Sequence, residues 1–175
     1  MEGQRIASLK DIMHSLIDGS ASTLTGDVSL RDRENVTLQS FDSRPNDPVT
    51  ARFSHEDPAA AAELTKYVDG LSASGSTAMY QTLLEALRET DPAGGIPSIV
   101  LLSDGQDTVG PRFSKFKEEY EQLPAAQRSV PVFVILYGDA SESEMRELAE
   151  LTGGEVFDAL GGDLAAAFKE IRGFQ

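Results

Sequence analysis

The sequence has no cysteine, no tryptophan, only two histidines and no long apolar run. Each shortage excludes something. Without cysteine there is neither a disulfide nor a thiolate metal site, and the redox compartment is left open. His14 and His55 are too few for an ordinary zinc site. No apolar stretch approaches the roughly 18 residues that cross a bilayer. No signal-peptide pattern is present. Basic residues are also short: 15 Lys and Arg against 29 Asp and Glu leave a formal net charge of −14. Such a surface repels phosphate backbones, which argues against nucleic acid as a partner. The same surface attracts divalent cations.

What is there reads as one globular domain. The chain has 175 residues, enough for a full core, and its 40% apolar content with 25% charged is ordinary for a soluble domain. Helical spacing predicts a first helix over 1–17, with Ile6, Leu9, Met13 and Leu16 on one face. Residues 20–34 read as a polar loop. Alternation predicts strands over 36–41 and 49–53, joined as an antiparallel hairpin through the Pro45-Asn46 turn. Asp57-Pro58 reads as an N-cap followed by a first-turn proline, opening a helix on Leu64, Tyr67, Val68 and Leu71. A third helix carries Tyr80, Leu83, Leu84 and Leu87 at i, i+3, i+4 and i+7.

The rest of the chain alternates strand and helix. The strand ending Ile99-Val100-Leu101-Leu102-Ser103 reads as buried on both faces. A helix follows on Phe113, Phe116, Tyr120 and Leu123, then a second buried strand over 130–136. Ser141 with Glu144 fits a capping box for a helix on Met145, Leu148 and Leu151. Gly153-Gly154 stops it, Glu155-Val156-Phe157 forms a last strand, and 163–171 form a closing helix. Strands alternating with helices imply an α/β fold with a mostly parallel sheet.

Two loops carry candidate chemistry: Ser74-Gly75-Ser76-Thr77 before the third helix, and Ser103-Asp104-Gly105 after the buried strand. In open α/β sheets, ligands bind at the carboxyl ends of the strands. Hydroxyl and carboxylate oxygens suit Mg²⁺, Mn²⁺ or Ca²⁺ and not zinc or copper. The same residues also cap helices and close turns, so the residues alone leave both readings open. Other candidates have plainer readings. Asp27-Val28-Ser29-Leu30-Arg31 holds an Asp-x-Ser but reads as a solvated loop, and Asp42-Ser43 as a hairpin turn. Asp107 and Gln106 read as solvated loop residues. His14 reads as a partly exposed helix residue and His55 as a loop residue.

Gly75-Ser76-Thr77-Ala78-Met79-Tyr80 followed by Ile99 to Gly105 resembles the von Willebrand factor A domain. Leu148 to Phe157 is similar to that family's last helix and strand, and 36–41 to its second strand, so the resemblance runs the length of the chain. The narrower likeness is to the C-terminal A domain of bacterial proteins that fuse it to a solute-binding region. The resemblance implies a Rossmann-like, three-layer α/β/α fold, with a mostly parallel sheet and one antiparallel edge strand. It implies a metal-ion-dependent adhesion site holding Mg²⁺ or Mn²⁺, with Thr77 and Asp104 as ligands and a partner protein's acidic residue completing the shell. It further implies a cell-surface or extracytoplasmic setting.

One departure stands out. The family's first strand, ending in Asp-x-Ser-x-Ser, belongs before the helix that starts at Glu2, and it is not in the sequence. The expectation is a single domain over 1–175, truncated at its N-terminus. Strands lie about 4.8 Å apart, so a missing central strand leaves its neighbours too far apart to pair. Three outcomes follow: the flanking strands close up, another chain fills the slot so that the protein self-associates, or the chain folds poorly. With two motif ligands left, Mg²⁺ binding by this chain is expected to be weak or absent. The main reading is a non-enzymatic, metal-dependent protein-binding module. The alternatives are a metal-assisted phosphatase or hydrolase, against which stands the lack of a nucleophile elbow or phosphate loop, and a metal-independent structural subunit.

Overall fold

A computed structural model describes residues 3–20, 29–73, 75–103, 107–137, 142–159 and 164–174. In chain order the elements are α1 (Gln4–Asp18), β1 (Asn35–Leu38), β2 (Val49–Arg52), α2 (Pro58–Gly70), α3 (Met79–Glu89), β3 (Ile99–Ser103), α4 (Phe113–Glu121), α5 (Ala125–Arg128), β4 (Val132–Leu136), α6 (Glu142–Thr152), β5 (Val156–Asp158) and α7 (Leu164–Phe174). The α/β class stands. Among the described residues the strands form two separate sheets, an antiparallel β1-β2 pair and a parallel β3-β4-β5 sheet. Among the described residues no ladder joins β1 or β2 to β3, so the closing-up of flanking strands, one of the three outcomes considered from the sequence, is not seen there.

The chain folds as two compact units. The first takes Met1–Ser40, Asn46–Ser74 and Asp163–Gly173. Its hairpin pairs Val36 with Ala51 and Leu38 with Val49. On the exposed face the Thr37 and Thr50 hydroxyls are bonded across the strands at 2.8 Å. Helix α2 begins as its sequence requires. The Asp57 carboxylate accepts the Ala59 N–H at 2.9 Å, and Pro58 occupies the first turn, where no N–H is needed. Leu64 and Val68 are wholly buried against Phe53, Ala51 and Ile17. On α1 only Leu16 and Ile17 are buried, while Ile6, Leu9 and Met13 are half-buried. The Tyr67 hydroxyl accepts the Ser40 N–H at 2.7 Å, which ties the end of the hairpin strand to α2.

One ion pair in this unit is partly shielded from water. Arg172 on α7 grips Glu34 with both guanidinium nitrogens, at 2.6 and 2.9 Å, and also donates to the Ser29 carbonyl at 2.8 Å. Their side chains are 11% and 29% exposed, so solvent screening is reduced. Burial alone would push the Glu34 carboxyl up. The Arg172 bonds and the Arg31 N–H outweigh it and hold Glu34 below the ordinary glutamate value. A depressed carboxyl stabilises the fold above its unfolded pKa of about 4.3, and that stabilisation is lost as pH falls through the folded value.

The second unit takes Phe41–Pro45, Gly75–Gly162 and Phe174–Gln175. Strand β4 lies in the middle of its sheet, with Val100 paired to Phe133 on one side and Ile135 to Phe157 on the other. It is buried at every position. Strand β3 departs from expectation. Among the described residues it pairs only with β4, and Ile99, Val100 and Leu102 are half-buried where burial on both faces was expected. The helical spacing of α3 holds: Tyr80, Leu83, Leu84 and Leu87 are all buried. Each buried leucine contributes about 1.5–3 kcal/mol. Tyr80, Phe113, Phe116 and Tyr120 form a row of rings with neighbouring centroids 5.3–6.0 Å apart. Helix α6 adds Met145 and Leu148 to the same core.

At the end of α6, Gly153 adopts a left-handed φ of 73° and the chain turns back toward the sheet. Gly154 then passes so close to β4 that a Cβ would overlap the Val132 carbonyl. Backbone on both sides leaves nothing flexible to yield. Gly154→Ala is therefore expected to cost about 3 kcal/mol or more, read as a fall in the chemical-denaturation midpoint. Arg172→Ala is expected to cost about 2 kcal/mol at pH 7, less than a fully buried pair because Glu34 keeps 29% of its side-chain exposure. The gap between the two proteins should narrow below about pH 4, as Glu34 protonates in wild type. A gap that stays constant from pH 7 to pH 3 contradicts the assignment.

Candidate functional site

Helix α3 starts on Ala78, whose side chain offers no acceptor to the first-turn N–H groups. Those groups are satisfied instead by two distant loops of the second unit. The Tyr80 N–H donates to the Asp107 carboxylate at 2.8 Å, and the same carboxylate accepts the Val109 N–H at 3.1 Å. The Ala78 N–H donates to the Asp42 carbonyl at 2.7 Å. Asp107 thus caps α3 from 27 residues away. The negative charge also complements the positive end of the helix. This corrects the reading of Asp107 as a solvated loop acid: it is half-buried and fully engaged. Burial pushes its carboxyl above the ordinary aspartate value, against the N–H bonds that favour the charged form.

Thr77 is held from the same side. Its N–H donates to the Thr108 hydroxyl at 2.8 Å, and its carbonyl accepts the Thr108 and Val109 N–H groups at 2.9 and 3.2 Å. On the other side, the Ser76 N–H donates to the Ser43 hydroxyl at 3.3 Å. Residues 41–45 form a tight turn, closed by the Phe41–Pro45 bridge and by the Arg44 N–H on the Asp42 carboxylate at 3.2 Å. Asp42-Ser43 is therefore the turn expected, and it also abuts the Thr77 loop. Gly75 makes this contact feasible. Its φ is +78°, and a Cβ there would meet the Ser43 hydroxyl oxygen at 3.1 Å and the Asp42 Cβ at 3.3 Å.

Three loops, 41–45, 75–78 and 107–109, thus meet around Thr77. Thr77 is half-buried, and among the described residues its hydroxyl makes no hydrogen bond, although its N–H and carbonyl are both held by the 107–109 segment. The hydroxyl is a hard oxygen donor of the kind Mg²⁺ or Mn²⁺ takes. Asp104, the second predicted ligand, lies outside the described residues, as do Ser74, Gly105, Gln106 and Ser141 of the quoted motifs. Asp27 and Val28 are outside as well, while Ser29 gives its carbonyl to Arg172. Among the described residues no group of three acidic or histidine side chains is close enough to hold a metal on its own.

Tyr80 is 1% exposed, and among the described residues its hydroxyl makes no hydrogen bond of acceptable geometry, although the Glu144 carboxylate lies near it. Burial first, then the charges of Glu144 and Asp107, push its ionisation far above the ordinary tyrosine value, so the phenol stays neutral. The histidines sit in the first unit, each bonded to a carboxylate: His14 to Asp69 at 3.1 Å and His55 to Asp32 at 3.0 Å. Those pairings join separate segments, and the sequence did not suggest them.

With the geometry in hand, comparison with known proteins is direct. The von Willebrand factor type A domain matches residues 14–157, and the chain belongs to that family. Among solved structures, the chain is similar to an uncharacterized membrane-spanning protein from Vibrio fischeri, at 16% identity, with 97% of this chain and 85% of that one covered and a TM-score of 0.39. No curated protein matched. No described helix is long and apolar enough to cross a membrane.

Asp107 is the residue that sequence reasoning missed. A signal was present: a helix with alanine at its N-cap needs an acceptor from elsewhere. Asp107→Ala is expected to lower stability by about 1–2 kcal/mol in a thermal melt, and Asp107→Asn, which keeps one acceptor oxygen, by less. Equal melts for wild type and Asp107→Ala would mean that the cap contributes nothing.

Proposed function

We propose that this chain is a von Willebrand A-type module that binds a partner protein through a shared Mg²⁺ or Mn²⁺ ion. Thr77 and Asp104 are its ligands, and an acidic side chain of the partner completes the shell. The observation that carries the reading is Thr77. Its N–H and its carbonyl are both fixed by Thr108 and Val109, while among the described residues its hydroxyl makes no hydrogen bond. Family membership supports a binding or interaction role, and a net charge of −14 favours cations over anions. When bound, the ion supplies a positive centre between two acidic surfaces.

The module is read as non-catalytic. His14 Nε2 bonds Asp69 and His55 Nδ1 bonds Asp32, and among the described residues neither ring is bonded to a hydroxyl that it could activate. Two protein ligands fall short of the near-octahedral set that Mg²⁺ demands, so the chain alone binds weakly, at roughly millimolar concentration. Tight binding arises only in the ternary state with the partner carboxylate.

Mn²⁺ titration of isotopically labelled protein tests this, because the ion broadens only nearby resonances. Thr77 and Ala78 should broaden first, and Asp104→Ala should remove the effect while leaving the fold intact. Broadening spread evenly over the acidic surface, and unchanged by Asp104→Ala, would sink the proposal.

A further inference from the structure

The Thr77 loop is attached to the 107–109 segment by a specific set of bonds, and one of them is a side chain on the surface. Thr108 is exposed, yet its hydroxyl accepts the Thr77 N–H at 2.8 Å. The Thr108 N–H returns a bond to the Thr77 carbonyl at 2.9 Å, so the two threonines grip each other's backbone reciprocally. Val109 adds a second N–H to the same carbonyl, and Asp107 fixes Val109 and Tyr80. Apolar packing restrains Ala78 just beyond, but Ser76 and Thr108 are exposed and Thr77 is only half-buried, so the bonds to Thr108 and Val109 are what hold Thr77 itself.

We infer that Thr108 is a positioning residue: by accepting the Thr77 N–H it fixes the backbone from which the Thr77 hydroxyl projects, and so sets that hydroxyl for a hard cation. The cation part rests on the reading of Thr77 as a ligand under the proposed function. The positioning part rests on the hydrogen bonds alone. The sequence places Thr108 four residues after Asp104. Asp107 is the second support of the arrangement, but it also caps α3 and its removal would lower stability. Thr108 separates the two effects, because its side chain faces solvent and packs in no core cluster.

The test uses the full chain with Thr108→Val, which keeps the branched shape and removes the acceptor, and Thr108→Ser, which restores it. Three readouts are taken: exchange of the Thr77 amide, the methyl coupling that reports the Thr77 χ1 rotamer, and the Mn²⁺ concentration that half-broadens Thr77. In Thr108→Val, amide exchange is expected to rise at least about 5-fold, consistent with loss of one ordinary hydrogen bond. The χ1 coupling should move from a single rotamer toward the averaged value, and the Mn²⁺ midpoint should rise about 3-fold or more. The melting temperature should fall by no more than about 2–4 °C, the cost of about one hydrogen bond, and Thr108→Ser should return all three readouts. Unchanged exchange and coupling would overturn the inference, and so would changes in both with an unaltered Mn²⁺ midpoint. If wild type shows no Mn²⁺ response at Thr77, the proposed function fails. The coupling and exchange data then decide the positioning role by themselves.

Discussion

The N–H groups at the start of α3 must find acceptors, and the helix carries none of its own. Much of the second unit's loop structure follows from that need. Asp107 supplies one acceptor, the Asp42 carbonyl another, and the Thr108 and Ser43 hydroxyls hold the residues just before the helix. Buried or half-buried amides without partners cost on the order of 1–3 kcal/mol each. The loops cannot drift apart without exposing several of them at once. The core below is rigid for a different reason. Tyr80 anchors the same helix turn into the row of aromatic rings, so the capped end and the packed face of α3 share one residue.

The first unit is held by a different balance. Its apolar cluster is smaller, and α1 is only half-covered along most of its length. Polar ties have correspondingly more to do: Arg172 on Glu34 and Ser29, His14 on Asp69, and the Tyr67 hydroxyl on Ser40. Bonds of this kind are directional, so they specify which segments meet more than they add to stability.

Periodicity made most elements legible. The α3 face, the Asp57-Pro58 start of α2 and the 49–53 strand could be read because each rests on local physics. The misreadings share a cause. Strand β3 reads as buried on both faces because its residues are uniformly apolar, yet burial depends on what packs over each face, and Val100 and Leu102, which share one face, are only half-buried. Asp107 looked solvated because its local partner, the Val109 N–H, makes only a turn, whereas the helix start that it caps is 27 residues upstream. The short helix α5 gave no sequence signal, being a single turn after Pro124. At the site, the Thr77 loop was legible as a motif. The threonine that grips it was not, because a reciprocal backbone bond leaves no trace in composition.

The aromatic inventory has an optical consequence. With no tryptophan, the protein's ultraviolet emission comes from tyrosine alone, and there are four: Tyr67, Tyr80, Tyr120 and Tyr137. Three belong to the second unit and one to the first. Tyr80 and Tyr120 both sit against phenylalanine rings, which neither absorb nor emit in the tyrosine band, so they act as quiet walls around the two chromophores. An emission signal followed during unfolding is therefore weighted toward the unit that carries Thr77, and circular dichroism in the peptide band reports both units. A mismatch between those two curves would be a direct optical measure of whether the halves of this chain melt together.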